Sequence, residues 1–331
     1  YTLPRAPPNS PKILIPLFLF KNFFLLIRRP PRSTRHGVRR QRQMCIRDSR
    51  YPARVPVDLH SHSRVSDGSD APEEIVKLAI EAGLSAVALT DHDTQDGIER
   101  ARQAAEGTDL ELIPGAEISC GSGVHMVVLF LEPGAGPLQN RLEWVRSGRA
   151  ERNALILGRL AGLGIDISPE ELADEAGEGV VGRPHIAARL IAGGHVESMP
   201  DAFSRYLTAG QPGYVPRRTV GTVEAIRLAL ESGGVPVLAH PHTIDSSLGV
   251  HLESQLRKLA DAGLVGIEVH YPGYDAKKRG RIGKLASRFG LLPSGGSDHH
   301  GTYKPHLSLG VGDGTLEIPE EVLEALRERA T

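Results

Sequence analysis

The stretch Asp58-Leu59-His60-Ser61-His62 places two imidazoles one residue apart on an extended segment, so both project from one face. Two ring nitrogens so placed are a natural pair for one divalent ion. Alone the pattern is weak, because each histidine reads equally well as a satisfied core or surface residue. Its companions change the balance. Asp67 follows in the next loop, and Thr90-Asp91-His92-Asp93 sets three ionisable groups in a row after a short apolar run. Glu117 ends the run in Gly115-Ala116-Glu117-Ile118, and His125 opens the next. His240 ends Val237-Leu238-Ala239-His240-Pro241, and Ser297-Asp298-His299-His300 follows Leu291 to Ser294. One strand-terminal Asp can simply cap a helix. Six strand ends that all finish in His, Asp or Glu point to a shared crevice.

Imidazoles and carboxylates without cysteine favour Mn²⁺, Fe²⁺ or Zn²⁺ over a thiolate structural site. Nine candidate ligands are too many for one ion. Two or three ions bridged by Glu117 and Asp298 would accommodate them, as is typical of phosphate-ester hydrolysis. The expected chemistry is in-line attack on phosphorus by a hydroxide bridging two ions and held through Glu117 and Asp298, with the ions neutralising charge on the equatorial oxygens.

The elements around these residues alternate. Val57 to Leu59, Ala86 to Thr90, Glu111 to Ser119, Val124 to Leu131, Val235 to Ala239, Val265 to Val269 and Leu291 to Ser294 read as strands. Pro72 to Ala82, Gly97 to Ala105, 249–262 and 275–289 read as helices, the first with Pro and two Glu in its opening turn and Gly83 beyond its end. This predicts a parallel α/β layout. From about 136 to 216 no strand-like run occurs, and helical periods carry Leu142, Trp144, Leu155, Leu160, Leu190 and Leu207. A small helical subdomain (136–216) inserted into a barrel or sheet built from 55–135 and 217–331 is the expected organisation.

The net charge of −1 conceals an asymmetry. Residues 1–54 hold 13 Lys or Arg and one acid, which leaves 26 basic and 39 acidic residues in the body, a net of −13. With no basic stripe evident, so acidic a body is not expected to bind duplex DNA. The apolar runs at 13–20 and 23–27 are interrupted by Lys21 and Asn22, too short for a comfortable membrane span. The Arg-rich remainder, including IRRPPRSTR and QRQMCIRDSR, reads as translated adapter-like sequence. Residues 1–54 are therefore expected to be non-native or disordered, and no membrane partner is expected. The two cysteines, Cys45 and Cys120, exclude a disulfide framework and favour a reducing, cytoplasmic setting.

In order, DLHSHS, TDHDT, GAEIS with a following His, AHP and GSDHH resemble the polymerase-and-histidinol-phosphatase (PHP) superfamily over residues 57–315. The resemblance implies an irregular (β/α)7-type barrel and a multinuclear metal site, with manganese the first expectation and iron or zinc next. It implies the ligand set His60, His62, Asp67, His92, Glu117, His125, His240, Asp298 and His300. Val181-Gly182-Arg183-Pro184-His185, Tyr206-Leu207 and Pro212-Gly213-Tyr214-Val215-Pro216 are similar to the branch of 3′,5′-nucleoside bisphosphate phosphatases, whose relatives also trim short RNA from the 5′ end. The implied activity is removal of the 3′-phosphate from such bisphosphates, with a small phosphorylated nucleotide or a short RNA 5′ end as partner. In that reading Arg183 holds a second phosphate bidentately with His185 beside it, although Arg183 reads equally as an ordinary charge at a helix start. The chain departs from the branch at Gln211, where a Lys is usual, and at His242, where no His is expected. The alternatives are a histidinol phosphate phosphatase, against which the insertion argues, and a non-catalytic binding module, which predicts missing ligands.

Overall fold

The computed structural model describes residues 56–176 and 181–330, so the reading of residues 1–54 lies outside the described residues. The apolar runs form β1 (Val57–Asp58), β2 (Ala86–Leu89), β3 (Glu111–Ser119), β4 (His125–Leu129), β5 (Val235–Leu238), β6 (Gly266–His270) and β7 (Leu292–Gly295), paired in chain order as one seven-stranded sheet. Among the described residues, ten helices join or flank them. These are α1 (Pro72–Glu81), α2 (Ile98–Ala105), α3 (Pro137–Ala161), α4 (Pro169–Ala176), α5 (Arg183–Ala192), α6 (Met199–Ala202), α7 (Thr222–Glu231), α8 (Val250–Asp261), α9 (Ala276–Phe289) and α10 (Glu320–Arg327).

Strands β1 to β3 and β5 to β7 pair in parallel, as their alternation with helices predicts. The exception is β4, antiparallel to both β3 and β5. Only Cys120–Val124 separate β3 from β4, whereas a parallel return needs a crossover of about a dozen residues. The turn reverses the chain through Ser122 and Gly123, at φ 61° and 75°. The sheet then curls until its last strand meets its first. Leu59 N–H donates to Gly295 O (3.2 Å), Asp298 N–H to His60 O (2.9 Å) and His62 N–H to His299 O (3.0 Å), which nearly closes a barrel. Gly296 permits that approach, since a Cβ there would lie 2.2 Å from His60 Cβ.

Both faces of the strands are covered. On β2, Ala86 and Ala88 pack in a cluster with Ile113, Val127, Val237 and the α10 residues Leu323 and Leu326. Val87 and Leu89, on the opposite face, pack with Ile75 of α1 and Ile98 of α2. Helices α3 to α6 lie between β4 and β5 in the chain. The 25-residue α3 serves two cores: Leu138, Leu142 and Val145 join the cluster around the barrel, while Ile156 and Leu160 pack with Ile186, Leu190 and Leu207. No helix among the described residues is long and apolar enough to cross a membrane.

One helix departs from the expected charge pattern. Helix α9 carries Lys277, Lys278, Arg279, Arg281, Lys284 and Arg288 and no acidic residue. Its buried positions, Ile282, Leu285 and Ala286, leave Lys277, Arg281, Lys284 and Arg288 exposed. A basic stripe is therefore present. The summed charge hides it because the stripe is a property of one helix face.

Candidate metal centre

The nine residues singled out in the sequence come together at one mouth of the barrel. Parallel strands deliver them from their C-terminal ends. The reversed β4 delivers His125 from its first residue, in register with Ser119, so its ring reaches Glu117 diagonally across the hairpin. Buried Glu117 is the hub. Its Oε2 lies 3.4 Å from His60 Nε2, 3.2 Å from His62 Nε2 and 3.2 Å from His92 Nδ1. Its Oε1 lies 3.0 Å from His125 Nδ1 and 2.9 Å from His240 Nε2. Asp298 Oδ1 lies 3.7 Å from His60 Nε2, 3.5 Å from His62 Nε2 and 3.5 Å from His300 Nδ1. Half-exposed Asp67 reaches His62, His92 and His300 at 3.6, 3.6 and 3.4 Å.

Three groups have ligand atoms close enough to share an ion: His62, Asp67, His92 and His300; His60, His62 and Asp298; and His92, Glu117 and His125. His240 belongs to none of the three and touches the cluster through Glu117. The donor chemistry fits divalent cations. The Nδ1 atoms of His62 and His92 are buried and, although carboxylate oxygens lie 3.6 and 3.2 Å away, neither makes a hydrogen bond. His60 Nε2 and His62 Nε2 face each other at 3.0 Å, an arrangement suited to two lone pairs directed at one cation.

Without metal, protons must supply the positive charge. Burial alone would lower the His62 pKa, but hydrogen bonds to Asp298 and Glu117 outweigh it and hold it at about 9. His60 behaves likewise: burial opposes the proton, yet the charges of Glu268 and Glu117 hold its pKa well above the usual value. For His92 burial wins, and its pKa falls to about 4. Burial would raise the Glu117 pKa, but the histidines around it hold it well below the carboxylate range.

Backbone strain is concentrated here. His240 and Asp298 adopt φ of 27° and 53°, and Asp93 56°. Such conformations cost about 1–3 kcal/mol each and persist only where surrounding contacts fix them. Asp93 shows the fixing: its carboxylate accepts from Ser119 N–H at 2.8 Å and from Arg149 at 2.7 Å. Of the three ionisable groups at 91–93, His92 alone enters the cluster, because Asp91 turns instead to Ser63 and Ser66.

Several functional neighbours escaped the sequence reading. Buried Glu268, inside β6, lies 2.6 Å from His60 Nδ1 and also accepts the backbone N–H of His240. The only signal was a lone acid within an apolar run. Tyr271 and Lys304 both donate to Asp298 Oδ2 at 2.7 Å. His242, already singled out in the sequence as a departure, bonds Tyr274 OH at 2.7 Å, and its ring lies 6.1 Å from that of His240.

The cluster opens into a cavity of about 1090 Å³ whose other lining includes Arg149, Arg152, Arg183 and Arg217. Arg183 donates to Leu207 O at 3.0 Å and lies over the Phe203 ring. His185 also lines the cavity, but its Nδ1 accepts from Gly182 N–H at 3.0 Å and so caps α5. Burial, reinforced by Arg183 and Arg217, lowers the Arg152 pKa to about 10. This wall is rich in positive charge, with Asp93 as a carboxylate partner of Arg149.

Comparison with known proteins agrees with this arrangement. The PHP domain family model matches residues 58–156. The chain is 33% identical over 257 residues to a 3′,5′-nucleoside bisphosphate phosphatase of Chromobacterium violaceum, covering 74% of this chain and 87% of that one. It is 35% identical over 260 residues to the 5′-3′ exoribonuclease Rnm of Salmonella typhimurium, covering 77% and 88%. A solved structure from Bifidobacterium adolescentis, assigned as a metal-dependent phosphoesterase, superposes with a TM-score of 0.70 at 31% identity, covering 85% of this chain and 98% of that one. A carboxylate hub among histidines, a seven-stranded barrel with one reversed strand and relatives of this likeness lead to one conclusion: the chain belongs to the PHP family of phosphoesterases.

Proposed function

We propose that this phosphoesterase removes the 3′-phosphate of nucleoside 3′,5′-bisphosphates and trims short RNA from its 5′ end, using two or three divalent ions, with Mn²⁺ the natural choice. The observation that carries this reading is the shared cavity, where a histidine–carboxylate cluster and an arginine-rich wall meet in about 1090 Å³. The similarity to the Chromobacterium and Salmonella proteins supports it.

The groups His62–Asp67–His92–His300, His60–His62–Asp298 and His92–Glu117–His125 would hold the ions, with His240 completing the set beside Glu117. Bound there, the ions would supply Lewis acidity and a nucleophilic water of lowered pKa. The chain's own residues do the rest. Glu117 and Asp298 keep the imidazoles converged, and Lys304 and Tyr271 hold the second oxygen of Asp298 in place. Arg183 and Arg152, partly desolvated, hold a phosphate that is not being cleaved, for which a guanidinium fork suits better than a point charge. His185 orders the start of α5 and thereby positions Arg183.

The test is phosphate and mononucleotide release by the Mn²⁺-loaded protein from a 3′,5′-bisphosphate nucleotide, histidinol phosphate and a short 5′-phosphorylated RNA. Turnover of the bisphosphate and the RNA is expected. Turnover of histidinol phosphate alone would overturn the assignment.

A further inference from the structure

We infer that the exposed face of α9 formed by Lys277, Arg281, Lys284 and Arg288 binds the sugar-phosphate backbone of single-stranded RNA whose 5′ end occupies the cavity, an inference that rests on the RNA-trimming reading above. Spacings of four, three and four residues put these four side chains on one face. At about 1.5 Å per residue the row is roughly 16 Å long.

Nothing in the helix balances these charges. Several other surface cations of this protein sit against acids, as in Arg100–Glu73 (2.7 Å), Arg227–Glu231 (2.8 Å) and Arg327–Glu324 (2.9 Å). On the α9 row, Arg288 pairs with Glu253 of α8 at 2.6 Å, and among the described residues the other three have no acid within salt-bridge reach. Like charges four residues apart repel. The row is therefore a local positive field on a body of net negative charge, complementary to a chain of phosphates.

Its position connects it to the cavity. Lys278, in the first turn of α9, places Nζ 5.8 Å from the Tyr274 ring centroid, and that ring lies 5.2 Å from the ring of Tyr271, which lines the cavity. Lys277, the first residue of the row, directly precedes Lys278, so the row starts in the helical turn nearest this edge of the cavity. The apolar side of α9, with Ile282 and Leu285, is buried in the barrel's outer cluster. The helix therefore has no apolar face to offer a membrane, and its exposed contacts are charges that follow a backbone without reading bases.

The variant Lys277→Glu/Arg281→Glu/Lys284→Glu changes exposed positions to a residue of similar helix propensity, and far-UV circular dichroism checks that it folds. Binding of a fluorescent 5′-phosphorylated 12-nucleotide RNA and of a dinucleotide is measured by anisotropy in chelator, across a salt series. The native chain should bind the 12-mer more tightly than the dinucleotide. The variant should lose about tenfold or more on the 12-mer and nothing on the dinucleotide. Its salt dependence should become shallower by about 2 in log–log slope, from about 0.7 per released phosphate contact. Equal 12-mer affinity and slope in the two proteins would overturn the inference. So would α9-dependent binding to phosphatidylserine vesicles without α9-dependent RNA binding. Because chelator abolishes turnover, RNA binding of the expected kind by a protein that hydrolyses no substrate would support this surface while refuting the proposed activity.

Discussion

Glu268 and His60 stand 208 residues apart in the chain and 2.6 Å apart in space, carboxylate oxygen to Nδ1. The contact keeps a proton on Nδ1, so that once Nε2 gives up its own proton its lone pair faces His62, Glu117 and Asp298. Because Glu268 also accepts the His240 backbone N–H, one buried carboxylate orients two of the cluster's histidines. Glu268→Gln keeps the shape and loses the charged acceptor. Metal affinity should fall roughly 10- to 100-fold with the fold intact, the usual cost of removing such an outer partner. Metal titration followed by calorimetry reads this directly, and unchanged affinity would remove Glu268 from the orienting role.

Glu117→Gln should do more. Five imidazoles converge on this carboxylate, so neutralising it removes metal stoichiometry and activity together. His251→Ala, at an exposed position of α8, should stay within about 0.5 kcal/mol of native stability. Elemental analysis of both purified variants is the measurement. A full metal complement in Glu117→Gln would show that this carboxylate holds no ion.

Arg183→Ala should lower kcat/KM for a 3′,5′-bisphosphate nucleotide roughly 10- to 100-fold, about the worth of a hydrogen bond to a charged group. An aryl phosphate, which has no second phosphate, should lose less than about threefold, since the missing contact spends binding energy only where that phosphate exists. Equal losses on both substrates would place Arg183 at the reacting phosphate.

The metal-free protein should lose stability between pH 7 and 9.5. The folded His62 pKa of about 9 exceeds its unfolded value of 6.5. Its stabilising contribution is therefore full below pH 6.5 and vanishes as pH rises through 9. His60 and His240, also raised, act in the same direction. His92, lowered to about 4, acts oppositely but only below its unfolded value of 6.5, outside this window. Metal reverses the trend, because ligands must be deprotonated and affinity rises with pH. Thermal unfolding in chelator and in excess Mn²⁺ should therefore give pH profiles of opposite slope. Parallel profiles would contradict the assigned ligands.

Much of this site was legible in the sequence because its ligands occupy strand ends, where His, Asp and Glu interrupt apolar runs. Glu268 was not, since it lies within a strand and its partner is contributed from the far end of the chain. Tyr271 and Lys304 matter only through Asp298, a relation that spacing does not encode. The fold was legible wherever strand and helix alternate. The reversal of β4 was written in the five residues 120–124, but in their number more than in their types. The α9 row was hidden by summation, and helices α7 and α10 by their similarity to other short amphipathic stretches.

The meeting of the first and last strands has a thermodynamic consequence. It rests on a few backbone hydrogen bonds, yet His60 and His62 stand on one side of it and Asp298 and His300 on the other. An ion shared between the two sides would be a clasp across the seam, and its binding energy would also be closure energy. At a hundredfold over its dissociation constant such an ion adds about 2.7 kcal/mol to the closed form. Opening of the seam, followed by hydrogen exchange at the Leu59, His62 and Asp298 amides, should slow by about two orders of magnitude when metal is supplied. Filling the site would then also tighten the barrel, so a chelator would loosen this seam as well as silence the enzyme.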